Sequence, residues 1–498
     1  MRISRRRLLG AAVAAAFMSP APTSPAPKSS VPASPAPTPR GRRVSRPPVL
    51  NDASRLNSTP IAAHRIVRTD DERRYVEDVR TLLREAAREG HPVSVGGARH
   101  SMGGQSLPRN GIAASLSLPK CEPDTAARIY RVRSGTRWNH VIGTLDPLGF
   151  SVAVMQSNSD FSVGGTLSVN AHSWPVPYGP FGTTVRALRL MLADGSVVTC
   201  SRTENAELFS LVIGGYGLFG IVLDADVGTA DNMLLLPTFE RMPAARVAER
   251  FVATVRDAPV RMAYARLSVA ARGFLEDAFV TSYRPVATQP EPLPPANRSA
   301  AYTFLSRQAL RRQVGSERGK QARWYAETML PPRFAAKRPL TRNTILSYPV
   351  SALAETSRRR TDILHEYFIP PERFGEFLAA CCELIPPSKQ DLLNVTLRFV
   401  DTDPVSVLSF APAPRIAAVL LFSQGVSGEA DRAMAALTEQ LIDAVLAIGG
   451  SFYLPYRLHA RADQLRRAYP RLDTFIAKKR EYDPQLRFRN LMWDRYLA

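Results

Sequence analysis

A short apolar strand that runs straight into a glycine pair constrains this chain more than any other stretch of it. Pro92-Val-Ser-Val95 reads as strand, and Gly96-Gly97-Ala98-Arg99-His100-Ser101 follows without a break. Glycines at such a turn let the backbone take positive φ and approach a ligand closely. Successive amides there can also form a nest for an anionic group. By itself the pattern is weak evidence, so its neighbours matter. Before it, Thr69-Asp70-Asp71-Glu72 predicts a capping box, and Tyr75, Val76, Val79, Leu82, Leu83, Ala86 and Ala87 then repeat at helical spacing up to Gly90.

Beyond the turn, residues 110–118 and 130–134 read as strands. Residues 160–172 form a second glycine-rich loop dense in small hydrogen-bonding side chains. Residues 186–193 and 196–200 predict a hairpin whose Asp194-Gly195 pair suits a type I′ turn. Gly215-Tyr-Gly217-Leu-Phe-Gly220 matches the dinucleotide fingerprint G-x-G-x-x-G, but a helix precedes it and a strand, 221–227, follows. That fingerprint needs the opposite order to bring pyrophosphate to a helix N-terminus. Nicotinamide binding therefore has no support here.

The 498 residues, 45% of them hydrophobic, suffice for two or three domains. Ser4-Arg5-Arg6-Arg7-Leu8-Leu9 opens a short apolar run ending near Met18. It resembles a twin-arginine export signal over residues 1–18, which implies a periplasmic or extracellular protein. Residues 19–59 then read as a Pro/Ala/Ser-rich disordered spacer. Four cysteines, Cys121, Cys200, Cys381 and Cys382, show no paired spacing and read as packing residues. No metal-ligand spacing is visible. The net charge of +21 is densest over residues 307–342. That stretch lacks the regular aromatic interleaving of a single-strand binder, so no nucleic acid is expected. It is either a solvated face or a peripheral docking surface for phosphate or lipid headgroups.

As a set, the glycine segments resemble the flavin-binding domain of the vanillyl-alcohol oxidase superfamily, with an α+β fold of two small subdomains clasping FAD. Gly96 to Gln105 is similar to the G-x-G-H-S…G-Q segment of cytokinin dehydrogenases and alditol or aldonolactone oxidases, with Ala98 and Arg99 departing from it. Residues 163–171 and 214–222 resemble two further flavin-contacting segments. The resemblance implies FAD held by Gly96, Gly97, Ala98, Arg99, His100, Ser101, Gln105, Asp160, Gly164, Gly165, Thr166, Ser168, Asn170, His172, Gly220, Ile221, Val222 and Asn490, with an 8α bond to His100. His365-Glu366 and Leu393-Asn-Val-Thr-Leu-Arg398 look like substrate-domain strands of sugar-acting members, although Thr396 stands where an acidic residue is usual. Residues 449–456, 469–472 and 482–490 resemble the C-terminal segment of the decaprenylphosphoryl-ribose oxidase branch, with Tyr456 in place of its lysine.

These readings imply an FAD-binding domain over 60–232, a substrate (cap) domain over 233–448, and a C-terminal segment, 449–498, packing back on the first. The reaction expected is hydride transfer from a small alcohol-type donor (polyol, sugar or lactone) to flavin N5, with dioxygen or another acceptor reoxidising the flavin. Arg398, Glu366, Tyr453 and Tyr456 are the expected catalytic groups. Two alternatives stand beside this: an oxidase of a lipid-linked sugar at a membrane surface, and a non-catalytic basic binding protein on the same fold.

Overall fold

A computed structural model describes residues 47–297, 300–352, 355 and 357–498. The expected export signal and most of the spacer lie outside the described residues. The last part of the spacer, residues 47–59, is described and includes paired strand residues rather than a structureless spacer. Val49–Leu50 pairs with Thr59–Pro60. Asp52 is buried, its carboxylate accepting from the amides of Ser54 and Gly104.

Three sheets follow. Strands β1 (Ala63–Val67), β2 (Val93–Val95) and β3 (Ile112–Leu116) form a parallel sheet in the order β1-β3-β2. Parallel neighbours need a crossover, and α1 (Glu72–Arg88) supplies one, burying Tyr75, Val79, Leu82, Leu83 and Ala86. Its cap differs from the expected box. Asp71 is the N-cap and accepts from the Arg74 amide at 2.8 Å. Glu72, one residue inside the helix, pairs instead with Arg133 and Arg189.

The second sheet contains β4 (Cys121–Asp124), β5 (Ile129–Arg133), β6 (Phe150–Val152), β7 (Val185–Met191), β8 (Val197–Ser201) and β9 (Ile221–Asp231), with path β8-β7-β9-β5-β4 and β6 also on β9. Helix α2 (Trp138–Leu145) packs Trp138, Val141, Ile142 and Leu145 into its core. The β7–β8 hairpin exists, but its turn is not type I′. That type needs positive φ at both central residues, and here Gly195 has φ 86° while Asp194 does not have a positive φ. The supposed second loop contains a short helix, α3 (Val163–Ser168), capped by Ser162. Helix α4 (Ala206–Val212) precedes the 215–220 glycines and β9 follows them, in the order expected.

The third sheet holds β10 (Leu234–Pro243), β11 (Met262–Leu267), β12 (Asp277–Pro285), β13 (Leu340–Thr341), β14 (Arg360–Ile369), β15 (Asp391–Val400), β16 (Arg415–Gly425) and β17 (Ser451–Phe452). Its order is β13-β10-β12-β11-β15-β16-β14-β17, antiparallel throughout. Helices α5 (Ala300–Arg311) and α6 (Glu317–Phe334) carry most of the basic stretch, and α7 (Phe374–Ser388) packs on the opposite side through Phe374, Phe377, Leu378 and Cys381. Among the cysteines, Cys200 and Cys381 are buried, whereas Cys382 is exposed, so the packing role fails there. The chain then returns to the first sheet. Val93 donates to Arg487 O at 2.7 Å and accepts from Arg489 N at 3.2 Å, which adds residues 487–489 along the β2 edge. A buried Lys479–Asp483 pair fixes that return, since Asp483 also accepts from the Arg487 and Phe488 amides at 2.8 Å each.

Candidate active site

One cavity of about 1730 Å³ runs between the first two sheets and the open face of the third. Ordinary ligand pockets hold roughly 300–1,000 Å³, so this one has room for a large cofactor and a second molecule. Its first wall is backbone and small side chains: Gly96, Gly97, Ala98, Arg99, His100 and Ser101, then Gly164, Gly165, Thr166 and Ser168, then Gly220, Ile221 and Val222. The glycine at 97 permits a close approach. A Cβ there would lie 2.0 Å from Ser162 Oγ and 2.9 Å from Ser162 Cβ, so the turn after β2 meets the start of α3 at an approach that a side chain would force to shift. Arg99, at φ 53°, turns its guanidinium to Ser115 Oγ (3.1 Å) and the His64 ring (3.2 Å). His100 sits against Phe161, with ring centroids 4.3 Å apart. Burial, aided by the charge of Arg137 and opposed by Asp160, pushes its imidazole down to about 4. At neutral pH His100 is therefore an uncharged nitrogen nucleophile facing the cavity.

Several expected flavin ligands are committed elsewhere. Asp160 accepts from the Val350 amide at 2.7 Å and is not in the cavity wall. Asn170 is 1% exposed and bonds Asp403, Ser406 and the Gly182 amide, tying α3 to the loop after β15. Asn490 donates to Gln105 O and Tyr216 O, again outside the wall. Gln105 lines the cavity, but its amide nitrogen donates to Leu454 O and Tyr456 O and so holds the C-terminal segment. The Ser168 hydroxyl donates to Gly164 O, and Thr166 accepts from the Trp138 indole. Ser168 thus satisfies a backbone group one helical turn away, as Ser readily does, while Asn170 and Asn490 bridge segments far apart in sequence.

The opposite wall is the third sheet, and strand alternation selects its residues. Leu364 and Glu366 on β14, Asn394, Thr396 and Arg398 on β15, Val419 and Leu421 on β16, and Tyr264 and Arg266 on β11 all face the cavity. The register sets Arg266 opposite Thr396, Thr396 opposite Val419, and Val419 opposite Glu366, in one row across four strands. Tyr453 continues that row, its amide donating to Glu366 O at 3.0 Å.

At the Glu366 end of this wall, residues far apart in sequence converge. Glu366 Oε1 lies 2.8 Å from His172 Nε2 and 3.8 Å from Arg398 Nη1. Tyr456 donates its hydroxyl to Glu366 Oε2 at 3.1 Å, and Tyr453 donates to Val169 O at 2.8 Å. Burial alone would raise the Glu366 pKa, but the charges and hydrogen bonds of His172, Arg398 and Tyr456 overcome it and hold the carboxyl below its ordinary value. Burial drives both phenols far up, so Tyr453 and Tyr456 stay protonated. The cluster is thus one anionic proton acceptor with donors around it. His172, expected at the flavin, is placed here as the partner of Glu366. Sequence reading did not single out Trp174, Tyr264, Arg266, Arg323, Glu327 or Asn394 in this wall. The period-2 pattern of β15 would have found Asn394.

Residues 73–201 match the model of an FAD binding domain. Cytokinin dehydrogenase 8 of Oryza sativa subsp. indica is 34% identical over 149 residues, 27% of this chain and 28% of that protein. An uncharacterized oxidoreductase of the fasciation locus of Rhodococcoides fascians is 28% identical over 155 residues, 31% and 35% of the two chains. L-gulonolactone oxidase of Mus musculus is 27% identical over 164 residues, 33% and 37%. The chain thus spans about a third of the length of the relatives it matches.

Proposed function

We propose, from the match of residues 73–201 to an FAD binding domain, that this chain is a flavoprotein of the vanillyl-alcohol oxidase superfamily that oxidises an alcohol-type donor such as a polyol, sugar or lactone. One observation carries the reading: a single cavity joins the 96–101 turn, α3 and the 220–222 strand start to the His172–Glu366–Arg398–Tyr456 cluster. The first wall fits FAD, being glycine backbone and small hydroxyl side chains with an uncharged His100 beside Phe161. FAD, when bound, supplies the two-electron acceptor that the protein lacks, and dioxygen or another acceptor restores it.

The protein's own groups orient the donor and move one proton. Arg398 and Tyr453 border the space in front of Glu366 and hold the donor's oxygens. Glu366, anionic at neutral pH, takes the hydroxyl proton directly at Oε2 or through the Tyr456 phenol that already bonds it. His172 fixes the carboxylate from behind. The neutral imidazole of His100 suits the covalent 8α attachment that the family resemblance implies. Acid precipitation tests it: the yellow colour is expected in the pellet, and a colourless pellet under a yellow supernatant rejects the bond. Export through the twin-arginine sequence at Arg5-Arg6 would carry a chain already loaded with flavin. An Arg5→Lys/Arg6→Lys change is then expected to hold it in the cytoplasm.

For the activity itself, the purified protein is titrated anaerobically with polyols, lactones and amines. Bleaching of flavin absorbance by one of the hydroxylated donors supports the reading, and bleaching by amines alone refutes it.

A membrane-surface site of action is a second reading, favoured by one observation. Phe304, Tyr325, Phe334 and Leu340 are exposed on and after α5 and α6 among the exposed cations Arg312, Arg318, Arg333 and Lys337. Phe334 and Leu340 also line the cavity. Among the described residues no helix is long and apolar enough to cross a membrane. Sedimentation with anionic vesicles at low salt, lost at high salt, is the expected signature.

A further inference from the structure

The cavity wall carries a second charged group at a distance from Glu366. Arg266 on β11 donates from Nη2 to both oxygens of Glu327 (3.0 and 3.2 Å) and from Nη1 to Thr396 Oγ1 (3.0 Å). Arg323, one helical turn before Glu327 on α6, donates from Nε to Glu327 Oε1 at 2.7 Å and from Nη2 to Asn394 Oδ1 at 3.2 Å. Two guanidiniums thus share one carboxylate.

The imbalance extends to the whole cavity. Among the described residues, its charged lining is Arg99, Arg266, Arg323, Arg338 and Arg398 against Glu327 and Glu366. Arg99 belongs to the cofactor turn, and Arg398 is balanced by Glu366. The Arg266–Arg323 wall keeps a net positive charge away from bulk water, where such charge is worth most to an anion. Arg323 also donates from Nη1 to Leu393 O at 3.2 Å and so ties α6 to β15, but two guanidiniums against one carboxylate still leave this stretch of the wall with one positive charge in excess.

We propose that Arg266 and Arg323 form an oxyanion subsite, so that the donor oxidised at Glu366 carries a carboxylate or phosphate at its far end. The inference rests on the reading of Glu366 as the oxidation end of the cavity. The spacing suits a small donor. The Arg266 guanidinium reaches the strand of Thr396, and Glu366 lies two strands further along the same row, roughly 10 Å away. An extended six-carbon polyol bearing a terminal anion spans that interval.

The test is calorimetric titration of the flavin-loaded full chain at low salt with sorbitol 6-phosphate, gluconate, inorganic phosphate and sorbitol. At least one anionic polyol is expected to bind about tenfold or more tighter than sorbitol, the worth of one charge-assisted contact. Tighter binding of gluconate assigns a carboxylate, and of sorbitol 6-phosphate a phosphate. Arg323→Gln should abolish the preference, while Glu327→Gln, which leaves the two cations unopposed, should strengthen it. Arg318→Gln, exposed on α6 and outside the cavity wall, should change nothing. If Arg323→Gln does not fold, the Glu327→Gln result decides alone. Equal affinity for sorbitol and the anions, no heat from any anion, or an unchanged preference in the glutamine variants overturns the proposal. Because calorimetry needs no turnover, a protein that binds anions but oxidises none of the donors sinks the redox reading and leaves the subsite standing.

Discussion

Replacing Glu366 by Gln keeps the side chain's shape and removes its charge. The carboxylate is 2% exposed, 2.8 Å from His172 Nε2, and accepts the Tyr456 hydroxyl at 3.1 Å. Two losses follow. As the proton acceptor, Glu366 should account for about 10²- to 10⁴-fold of the rate of flavin reduction, roughly 3–5 kcal/mol of barrier. As a buried anion beside Arg398, its removal should cost about 1–3 kcal/mol of stability, since Arg398 retains access to the cavity and is not stranded in apolar core. The pH dependence has a definite sign. Glu366 is held below its ordinary pKa, so the reactive carboxylate is present above that value and is lost as pH falls through it. The wild-type reduction rate should therefore fall only on the acid side, at a pH below the ordinary carboxylate range, and the variant should show no such limb. Stopped-flow reduction under anaerobic conditions reads the rate, and thermal unfolding reads the stability. A variant that folds, keeps its flavin and reduces within about threefold of wild type would remove Glu366 from the chemistry.

Other perturbations separate structural from chemical roles. His100→Ala should give a protein that folds and releases its flavin on acid precipitation; colour retained in the pellet would place the bond elsewhere. Asn170→Ala should lower stability by about 1–3 kcal/mol, because Asp403, Ser406 and the Gly182 amide lose their partner. Its flavin content should not change, and a large loss of flavin with normal stability would restore Asn170 to the cofactor. Lys479→Met should cost about 3 kcal/mol, since it leaves Asp483 buried with only its two amide donors. A stability within about 0.5 kcal/mol of wild type would mean that the pair does not hold the C-terminal return.

Legibility in the sequence followed the range of the interactions. The 96–101 turn, the helix over 72–88 and the reversed order around 215–220 rest on local pattern, and each stands in the structure where it was expected. Asp71 rather than Thr69 caps the helix through a local bond, whereas Asp160 and Asn170 are engaged by residues distant in sequence, Val350, Asp403 and Ser406, which no local pattern announces. Arg398, Glu366, Tyr453 and Tyr456 were recognisable as candidates, but only strand register brings them together with His172. The Arg266–Glu327–Arg323 group was illegible for the same reason. Its members lie on β11 and α6, separated by 61 positions, and no spacing announces a contact of that kind.

The central claim, that this cavity holds FAD as a working oxidant, is tested most directly by the visible spectrum of the purified protein before and after anaerobic addition of donor. The account predicts a yellow protein with flavin absorbance near one equivalent per chain, bleached by a hydroxylated donor and restored by an acceptor. A colourless protein that gains no flavin when FAD is supplied would contradict it.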